Sequence, residues 1–212
     1  MTAPDFTSDF REQLDDLLIW RRDVRRFDSR PLNAGLLDDL LDRACFAPSV
    51  GNSQPWRFVQ VSSPDRRTAI AAHVEGENAH AAALYRDEAR AAYDALKLHG
   101  LHEAPEHIAV FCDPDPAAGQ GLGRQTMPET LAYSTVLAIH TLWLAARARG
   151  VGLGWVSILD PAAIATLLDV PSEWIFIGYL CLGYPQEAHD VPELERTGWQ
   201  ARIDPVQTRF TR

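Results

Sequence analysis

The stretch ETLAYSTVLAIHTLWLAARARGVGLGWVSI, residues 129–158, decides the fold. Its first part, Glu129 to Gly150, is apolar on nearly every side, which is typical of a helix buried in a protein interior. The second part, Gly152 to Ile158, reads as a strand that directly follows this helix. Gly152 and Gly154 lie near its start, where a missing side chain lets a flat ligand or another backbone come close. The stretch therefore predicts a central helix packed beside a strand at a candidate site.

The remaining elements alternate along the chain around this pair. Hydrophobic periodicity predicts helices near residues 10–18 and 36–44, two helices within 64–100, and one at 161–168; strands are predicted at 56–61, 108–112 and 174–182. This alternation, within a length of 212 residues, indicates a single α/β or α+β domain. The alanine-rich region 64–100 is predicted to be a helical excursion or cover. The tail, residues 187–212, contains Trp199 and Phe210. It is expected to pack against another protein surface, such as that of a partner subunit.

An arginine cluster, Arg21-Arg22-Asp23-Val24-Arg25, follows the first predicted helix. Guanidinium groups near a helix end suit a phosphate, because each offers a planar fork of donors to phosphate oxygens. Asp23 is unexpected there, since a carboxylate weakens anion binding; it either orients the arginines by ion pairing or does chemistry beside them. The five residues alone favour a solvated basic helix end over a phosphate site.

A loop of small and polar residues, Ala47 to Trp56, joins the second predicted helix to a strand. Its side chains Ser49, Asn52, Ser53 and Gln54 form a set of hydrogen-bonding groups between two fixed elements, as in many binding loops. The alternative is an ordinary turn whose polar residues satisfy their own backbone.

Composition excludes several classes of function. The net charge of −9 argues against a general nucleic-acid or membrane-surface binder, and no apolar run is long enough to span a bilayer. Three widely spaced cysteines signal neither a disulfide framework nor a metal site, so a reducing cytoplasm is the expected location. His99, His102 and His107 lack carboxylate or thiolate company and are expected on the surface or in the cover, with no metal.

The motifs taken together resemble the FMN-dependent nitroreductase superfamily over about residues 14–202. Those that carry the resemblance are Arg21 to Arg25, Ala47 to Gly51 with Gln54-Pro55-Trp56, Tyr133 to Val136, Leu142 to Ala148, and Gly152 to Ile158. Within this superfamily the sequence is most similar to the 5,6-dimethylbenzimidazole synthases. Asp23, where ordinary nitroreductases commonly carry serine, and Ser157 are the more specific signs. Asn52-Ser53 and the segment Arg124 to Pro128 depart from the pattern and both can line the pocket.

The resemblance implies an α+β nitroreductase-like fold: a central mixed sheet flanked by helices, in one domain of residues 1–212. It further implies an intertwined homodimer with FMN at the interface, a lid formed within about 64–100, and a tail from about 187 to 212 that packs on the partner subunit. The implied reaction is O2-dependent fragmentation of reduced FMN to dimethylbenzimidazole and erythrose 4-phosphate, for the lower ligand of vitamin B12. A separate flavin reductase would supply the reduced FMN.

The resemblance also implies which residues bind FMN. Arg21, Arg25 and Arg202 would hold the phosphate, with Arg22 near the same pocket and Asp23 and Val24 inside the same stretch. Ser49, Gly51 and Gln54 would line the isoalloxazine ring and ribityl chain; Gly154, Trp155 and Ser157 would lie along the ring; and Lys97 and Leu98 would belong to the lid.

Two of these residues are candidate catalytic groups. Breaking the ribityl chain needs a base at a hydroxyl, and Asp23, as a buried carboxylate beside that chain, has the required chemistry. Its alternative role is to orient Arg22 or Arg25. Ser157 can donate or accept a hydrogen bond near the flavin N5, or it can be a strand-end serine bonded to backbone.

Two other functions remain open from the sequence. One is an NAD(P)H-dependent nitroreductase or flavin reductase in which FMN stays intact. The other is a non-catalytic flavin-binding protein with a pocket but no working base.

Overall fold

The computed structural model describes residues 2–212; Met1, which the predicted domain includes, lies outside the described residues. The helices are α1 (Ser8–Trp20), α2 (Leu36–Ala44), α3 (Pro64–Ala82), α4 (Asp87–Asp94), α5 (Thr130–Ala148), α6 (Pro161–Leu168) and α7 (Glu193–Arg196). The strands are β1 (Phe27–Asp28), β2 (Trp56–Gln60), β3 (Glu106–Cys112), β4 (Gly152–Val156) and β5 (Ile175–Pro185). Short 3-10 helices cover Val50–Asn52 and Pro205–Thr208. The predicted alternation of helices and strands is confirmed.

Two of the helices begin at side-chain caps that are visible in the sequence. The hydroxyl of Ser63 accepts from the backbone N–H of Arg66, and the carboxylate of Asp160 accepts from that of Ala162. Each cap is followed by a proline at the first helical position, where the missing N–H has no intrahelical partner to lose. These two dipeptides fix the starts of α3 and α6.

The sheet is built around the long strand β5. One side of β5 pairs with β3, which pairs in turn with β2; the other side pairs with β4 and, at its end, with β1. Every one of these ladders is antiparallel, as with Leu153 opposite Leu182. The predicted α+β fold is confirmed, but the sheet is antiparallel where a mixed sheet was expected. Its mixed character is limited to a single parallel bridge between Asp23 and Leu153.

Helices cover both faces of the sheet. On one face, Leu40 of α2 and Leu142 of α5 pack with strand residues such as Leu180. On the other, Ile70 of α3 and Ile164 of α6 pack with residues such as Phe111. The sheet is therefore buried on both sides, which explains the nearly continuous apolar sequences of β3 and β5.

Helix α5 is buried on one side only, which corrects the expectation that it is surrounded by protein. Ile139, Leu142 and Ala146 are fully buried against the sheet. On another face of the helix, Tyr133, Val136 and Leu137 are exposed. None of the residues of α1 is buried either, although this helix carries Phe10, Leu14 and Leu18. A single subunit thus presents an apolar surface formed by α1 and α5.

The glycines of β4 leave room for another segment of the same chain. A Cβ atom on Gly154 would lie 2.1 Å from the carbonyl oxygen of Val24, and one on Gly152 would lie 2.8 Å from Cγ2 of Val24. The segment after α1 therefore runs directly over the start of β4. The sequence left open whether a flat ligand or another backbone lies against these glycines, and the structure shows another backbone.

His107 is placed differently from the prediction of a surface or cover histidine. It lies in β3, is 1% exposed, and its Nδ1 is 2.9 Å from the hydroxyl of Tyr179. Its ring faces the core because alternate residues of a strand point to opposite faces.

Within residues 2–212, no helix has the length and apolar character that crossing a membrane requires.

Candidate functional site

The arginine segment is held between α5 and β4. The indole N–H of Trp143 donates to the carbonyl oxygen of Arg22 at 3.2 Å, and the backbone N–H of Val24 donates to the carbonyl oxygen of Leu153 at 3.0 Å. The segment is therefore an ordered strand-like piece with a fixed position, and not a solvated helix end.

Asp23 is bonded at both carboxylate oxygens. Oδ1 accepts from the backbone N–H of Trp155 at 2.9 Å, and Oδ2 accepts from Nε of Arg25 at 2.9 Å. Burial raises the pKa of the Asp23 carboxyl, and these two hydrogen bonds offset only part of that effect. The side chain is still 31% exposed in the single subunit, so it is reachable from one side. A carboxylate with a raised pKa is a stronger base than an ordinary aspartate.

Arg25 is held by two groups of its own subunit. Besides its ion pair with Asp23, Nη1 donates to the carbonyl oxygen of Lys97 at 3.0 Å. Lys97 in turn forms an ion pair with Glu103 at 2.5 Å. Arg25 thus connects the catalytic candidate to the end of the helical excursion.

Three arginines, Arg21, Arg22 and Arg202, lie near one another. Burial lowers the pKa of the Arg21 and Arg22 guanidiniums, and the positive charge of Arg202 lowers both further. For Arg21, the nearby carboxylate of Asp23 acts in the opposite direction and more strongly than Arg202. Arg21 stacks on the ring of Trp143 at 4.7 Å. Among residues 2–212, no carboxylate forms an ion pair with Arg21 or Arg202. Clustered cations without an anionic partner suit a phosphate.

Arg22 differs from its two neighbours in how its donors are used. Nε donates to the carbonyl oxygen of Asp190 at 2.9 Å, Nη2 donates to the same oxygen, and Nη1 donates to the carbonyl oxygen of Arg21 at 2.8 Å. The positive charge of Arg22 remains near Arg202, but its hydrogen bonds hold the tail to the body of the subunit.

A small cavity of about 90 Å³ lies on the Arg25 side of Asp23. It is lined by Arg25, Val74, Asn78, Leu98, His99, Trp155, Val156, Ser157 and Ile158. Ser157 follows the last residue of β4 and is exposed, and its hydroxyl forms no hydrogen bond within the described part of the chain. The alternative of a serine satisfied by backbone is therefore not observed. Trp155 contributes its backbone, while its indole packs over Gly178.

The loop with Ser49, Gly51 and Gln54 is shaped by its own backbone contacts. Gly51 has φ +57°, and a Cβ there would lie 2.7 Å from the carbonyl oxygen of Leu122. The hydroxyl of Ser49 accepts from the backbone N–H of Gln54 at 3.1 Å. The backbone N–H of Val50 donates to the hydroxyl of Ser134 at 3.0 Å, which fixes this loop to the first part of α5.

The two groups of predicted site residues lie apart within one subunit. The loop is attached to α5 at Ser134, and the arginine segment is attached at Trp143. Positions 134 and 143 of a helix are separated by about 13 Å along its axis. The structure therefore places Arg202 near Arg21 and Arg22, and it places Arg25, Leu98 and Ser157 around the small cavity. Arg22, Asp23 and Arg25 also line a common pocket, whereas the loop residues are attached towards the other end of α5.

Several residues around the site were not predicted from the sequence. Trp143 supports Arg21; Asn78 and His99 line the small cavity; and Asp190 and Glu193 hold the tail to Arg22 and Arg26. His99 has a buried Nδ1 without a partner, and burial lowers the pKa of its ring. Their roles depend on contacts between distant parts of the chain, which periodicity does not reveal. Of these residues, only Trp143 lies within a motif that the sequence analysis singled out, Leu142 to Ala148.

Comparison with known proteins identifies relatives over nearly the whole chain. The chain is 56% identical to a 5,6-dimethylbenzimidazole synthase of Rhodospirillum rubrum, covering 95% of both chains. It is 48% identical to a 5,6-dimethylbenzimidazole synthase of Rhodobacter capsulatus, covering 93% of this chain and 96% of that one. Among solved structures, oxidized iodotyrosine deiodinase bound to FMN and 3-iodo-L-tyrosine is 27% identical, with a TM-score of 0.69 over 83% of this chain and 91% of that one.

A family model described as the nitroreductase family matches residues 18–184. The match begins just before the arginine segment and ends within β5, so it contains both the sheet and most of the candidate site. A relative with this fold binds FMN, and the unpaired arginines and the free Ser157 hydroxyl fit such a phosphorylated flavin. The chain belongs to the nitroreductase family.

Proposed function

We propose that this protein is a 5,6-dimethylbenzimidazole synthase that takes reduced FMN and O2 as substrates. The observation that carries the proposal is its similarity, over almost the full length of both chains, to two synthases of that name. In the reaction proposed, the isoalloxazine and ribityl carbons of FMN supply the benzimidazole, and erythrose 4-phosphate is released. A separate flavin reductase would supply the reduced FMN, in the reducing cytoplasm that three unpaired thiols suit.

Arg21 and Arg202 are the proposed phosphate ligands. Neither guanidinium forms an ion pair with a carboxylate among the described residues, and a bound phosphate would offset the repulsion between them; the nearby charge of Asp23 acts on Arg21 more strongly than Arg202 does. Arg22 adds a positive charge to this end of the site while it holds the tail at Asp190. The sequence assigned Arg25 to the phosphate as well. Because Arg25 is paired with Asp23 and with Lys97, we propose instead that it borders the ring or ribityl part of the flavin.

Asp23 is the proposed base at a ribityl hydroxyl. Its location between the phosphate cluster and the cavity that contains Ser157 suits the middle of an elongated ligand. The raised pKa of its carboxyl supports proton uptake, and the bonds from Trp155 and Arg25 fix its direction. Orientation of Arg25 and base catalysis are thus compatible roles for one side chain.

Ser157 is the proposed hydrogen-bonding group at the reactive edge of the ring. Its hydroxyl is exposed in the small cavity beside Leu98, and it has no partner within residues 2–212 that a ligand would have to displace. Lys97 and Leu98, at the end of the excursion, are the proposed cover of this end of the site.

A homodimer is the proposed working form. Ser49, Gly51 and Gln54 belong to the loop attached to α5 at Ser134, away from the arginine segment held at Trp143. Helices α1 and α5 present exposed apolar side chains. Pairing of two subunits through this surface would bury it and would let the loop of one subunit approach the arginine segment of the other.

The reaction is tested by mixing the protein with chemically reduced FMN in air and analysing the products by mass spectrometry. Dimethylbenzimidazole is expected. Recovery of oxidised FMN alone would contradict the proposal. Rapid oxidation of NAD(P)H with a nitroaromatic compound would indicate the reductase, and binding without either reaction would indicate a flavin carrier.

The role of Asp23 is tested by Asp23→Asn. The amide keeps an oxygen to accept from Trp155, but it presents an N–H to Arg25 and cannot take up a proton. We expect FMN binding to be kept within about tenfold, and product formation to fall by a factor of about 100 or more, as for loss of a general base. A variant that still forms product at the wild-type rate would make Asp23 a structural residue. An unchanged melting temperature serves as the folding control.

A further inference from the structure

His99 lies in the wall of the small cavity that also contains Ser157. Its position is fixed from both sides along the chain. Two residues before it, the carbonyl oxygen of Lys97 accepts from Nη1 of Arg25 at 3.0 Å. Directly after it, Gly100 packs so closely that a Cβ there would lie 2.4 Å from Cε2 of Phe27. The imidazole is therefore held at the cavity by the segment that carries Asp23.

One ring nitrogen of His99 lacks a partner. Nδ1 is buried and forms no hydrogen bond with any group in the described part of the chain. Buried polar atoms nearly always have a partner, because an unpaired one has lost its water without a replacement. A ligand in the cavity that His99 lines can supply the missing hydrogen bond.

Nδ1 of His99 is an acceptor. Among residues 2–212, no acceptor is bonded to this atom and would keep a proton there. The proton of a neutral ring then belongs on Nε2, which leaves a lone pair on Nδ1. Burial lowers the pKa of the His99 ring, so the ring is neutral at neutral pH.

Two neighbouring polar side chains of the cavity offer donors instead. Arg25 has only N–H groups. Oδ1 of Asn78 accepts from the hydroxyl of Tyr93 at 2.6 Å, so the amide NH2 is the part of this side chain that remains for a ligand. His99 thus adds the ability to recognise an N–H group on the ligand.

We infer that His99 is a substrate-binding residue that accepts a hydrogen bond from the N5–H group of reduced flavin. The inference rests on the proposed function, because it takes the ligand to be FMN and places the edge of the ring beside Ser157. Reduced flavin carries a proton on N5, whereas oxidised flavin has a lone pair there. An acceptor at this position consequently favours reduced FMN over oxidised FMN.

The inference is tested by titrating the protein with oxidised FMN, and with reduced FMN without oxygen, so that no turnover occurs. His99→Phe keeps a ring but has no acceptor. In this variant we expect the affinity for reduced FMN relative to oxidised FMN to fall by about tenfold, the size of one hydrogen bond. For a two-electron couple, this makes the reduction potential of bound FMN about 30 mV more negative. His99→Asn, whose amide oxygen can replace Nδ1, should restore most of the difference.

His102→Phe is the matched control. The ring of His102 lies 6.0 Å from that of His99, but it pairs with Glu75 and its side chain is 61% exposed. We expect the relative affinity of this variant to equal that of the wild type. If His99→Phe weakens both redox forms equally, or neither of them, His99 only fills space and the inference is wrong.

Nitrogen NMR of the imidazole supplies a second measurement, on the unmodified protein. At neutral pH we expect the proton of His99 on Nε2, and a larger shift of the Nδ1 resonance with reduced FMN than with oxidised FMN. A proton on Nδ1 or equal shifts would overturn the inference. Either result could occur in a protein that makes dimethylbenzimidazole, and the proposed reaction would then stand. Conversely, the predicted affinities and shifts without any product would contradict the proposed reaction and support the role of His99.

Discussion

Asp23 shows how a single residue can have two roles that sequence reasoning treats as alternatives. The stretch of arginines made an acidic residue conspicuous, and orientation of a neighbouring guanidinium competed with chemistry as its explanation. In the structure the carboxylate does orient Arg25, and burial still raises its pKa. The pKa shift depends on the packing of β4 and the excursion around Asp23, which local sequence does not encode.

His107 provides a prediction that is independent of the flavin site. Burial lowers the pKa of His107 to about 4 from an ordinary value of 6.5. Between these two pH values the unfolded state binds more protons than the folded state, so the free energy of unfolding falls as the pH decreases through this window. The full effect is roughly 3 kcal/mol for a shift of this size. Urea unfolding between pH 4 and pH 7 measures it.

The variant His107→Gln should lose this part of the pH dependence, although its stability at pH 7 will also decrease. His80→Gln is the control, because the side chain of His80 is 80% exposed and should leave the slope unchanged. Equal slopes for the wild type and His107→Gln would show that His107 titrates normally.

At the scale of elements, strand β4 depends on its glycines because the segment after α1 lies on it. The sequence predicted close approach at Gly152 and Gly154, but it offered a ligand and a backbone as equal alternatives. The contact with Val24 joins residues that are 130 positions apart in sequence, 154 minus 24, so only the tertiary structure could decide. This contact also places Asp23 beside the backbone of Trp155.

The variant Gly154→Ala tests that packing. Its Cβ would lie 2.1 Å from a backbone oxygen, so either strand has to move, and we expect a loss of about 3 kcal/mol or more in the free energy of unfolding. Gly76→Ala is the matched control: it lies inside α3, and nothing approaches its Cβ position within 4 Å. There the same change should stabilise the protein by about 0.5–1 kcal/mol, through helix propensity. Similar stabilities for the two variants would contradict the close approach.

At the scale of the whole molecule, the apolar surface of α1 and α5 is the main unexplained feature of a single subunit. The exposed side chains include Phe10, Leu14 and Leu18 of α1 and Tyr133 and Leu137 of α5. Exposed apolar side chains grouped on two helices are typical of a protein interface. The proposed homodimer accounts both for this surface and for the separation of the loop residues from the arginine segment.

The variant Leu137→Glu tests the proposed dimer. A charge buried in an apolar interface is strongly unfavourable, so we expect a monomer by light scattering and a loss of FMN affinity of about 100-fold or more. Ile175→Glu is the control, since Ile175 is exposed to a similar extent at the start of β5, outside the surface of α1 and α5. A Leu137→Glu protein that remains dimeric, or a wild type that is monomeric, would contradict the proposed interface.

The sequence by itself determined most of the order and type of the elements, because hydrophobic periodicity acts within a few residues. The short elements β1 and α7 were not predicted. The sequence also determined the family, through motifs whose residue types suit a flavin phosphate. Tertiary structure decided the rest: which face of α5 is exposed, which backbone lies on Gly154, and which arginines are left without partners. These three features depend on contacts between segments that are distant in sequence. The stretch 129–158 could therefore predict a helix beside a strand, but it could not predict which segments pack on that helix and that strand.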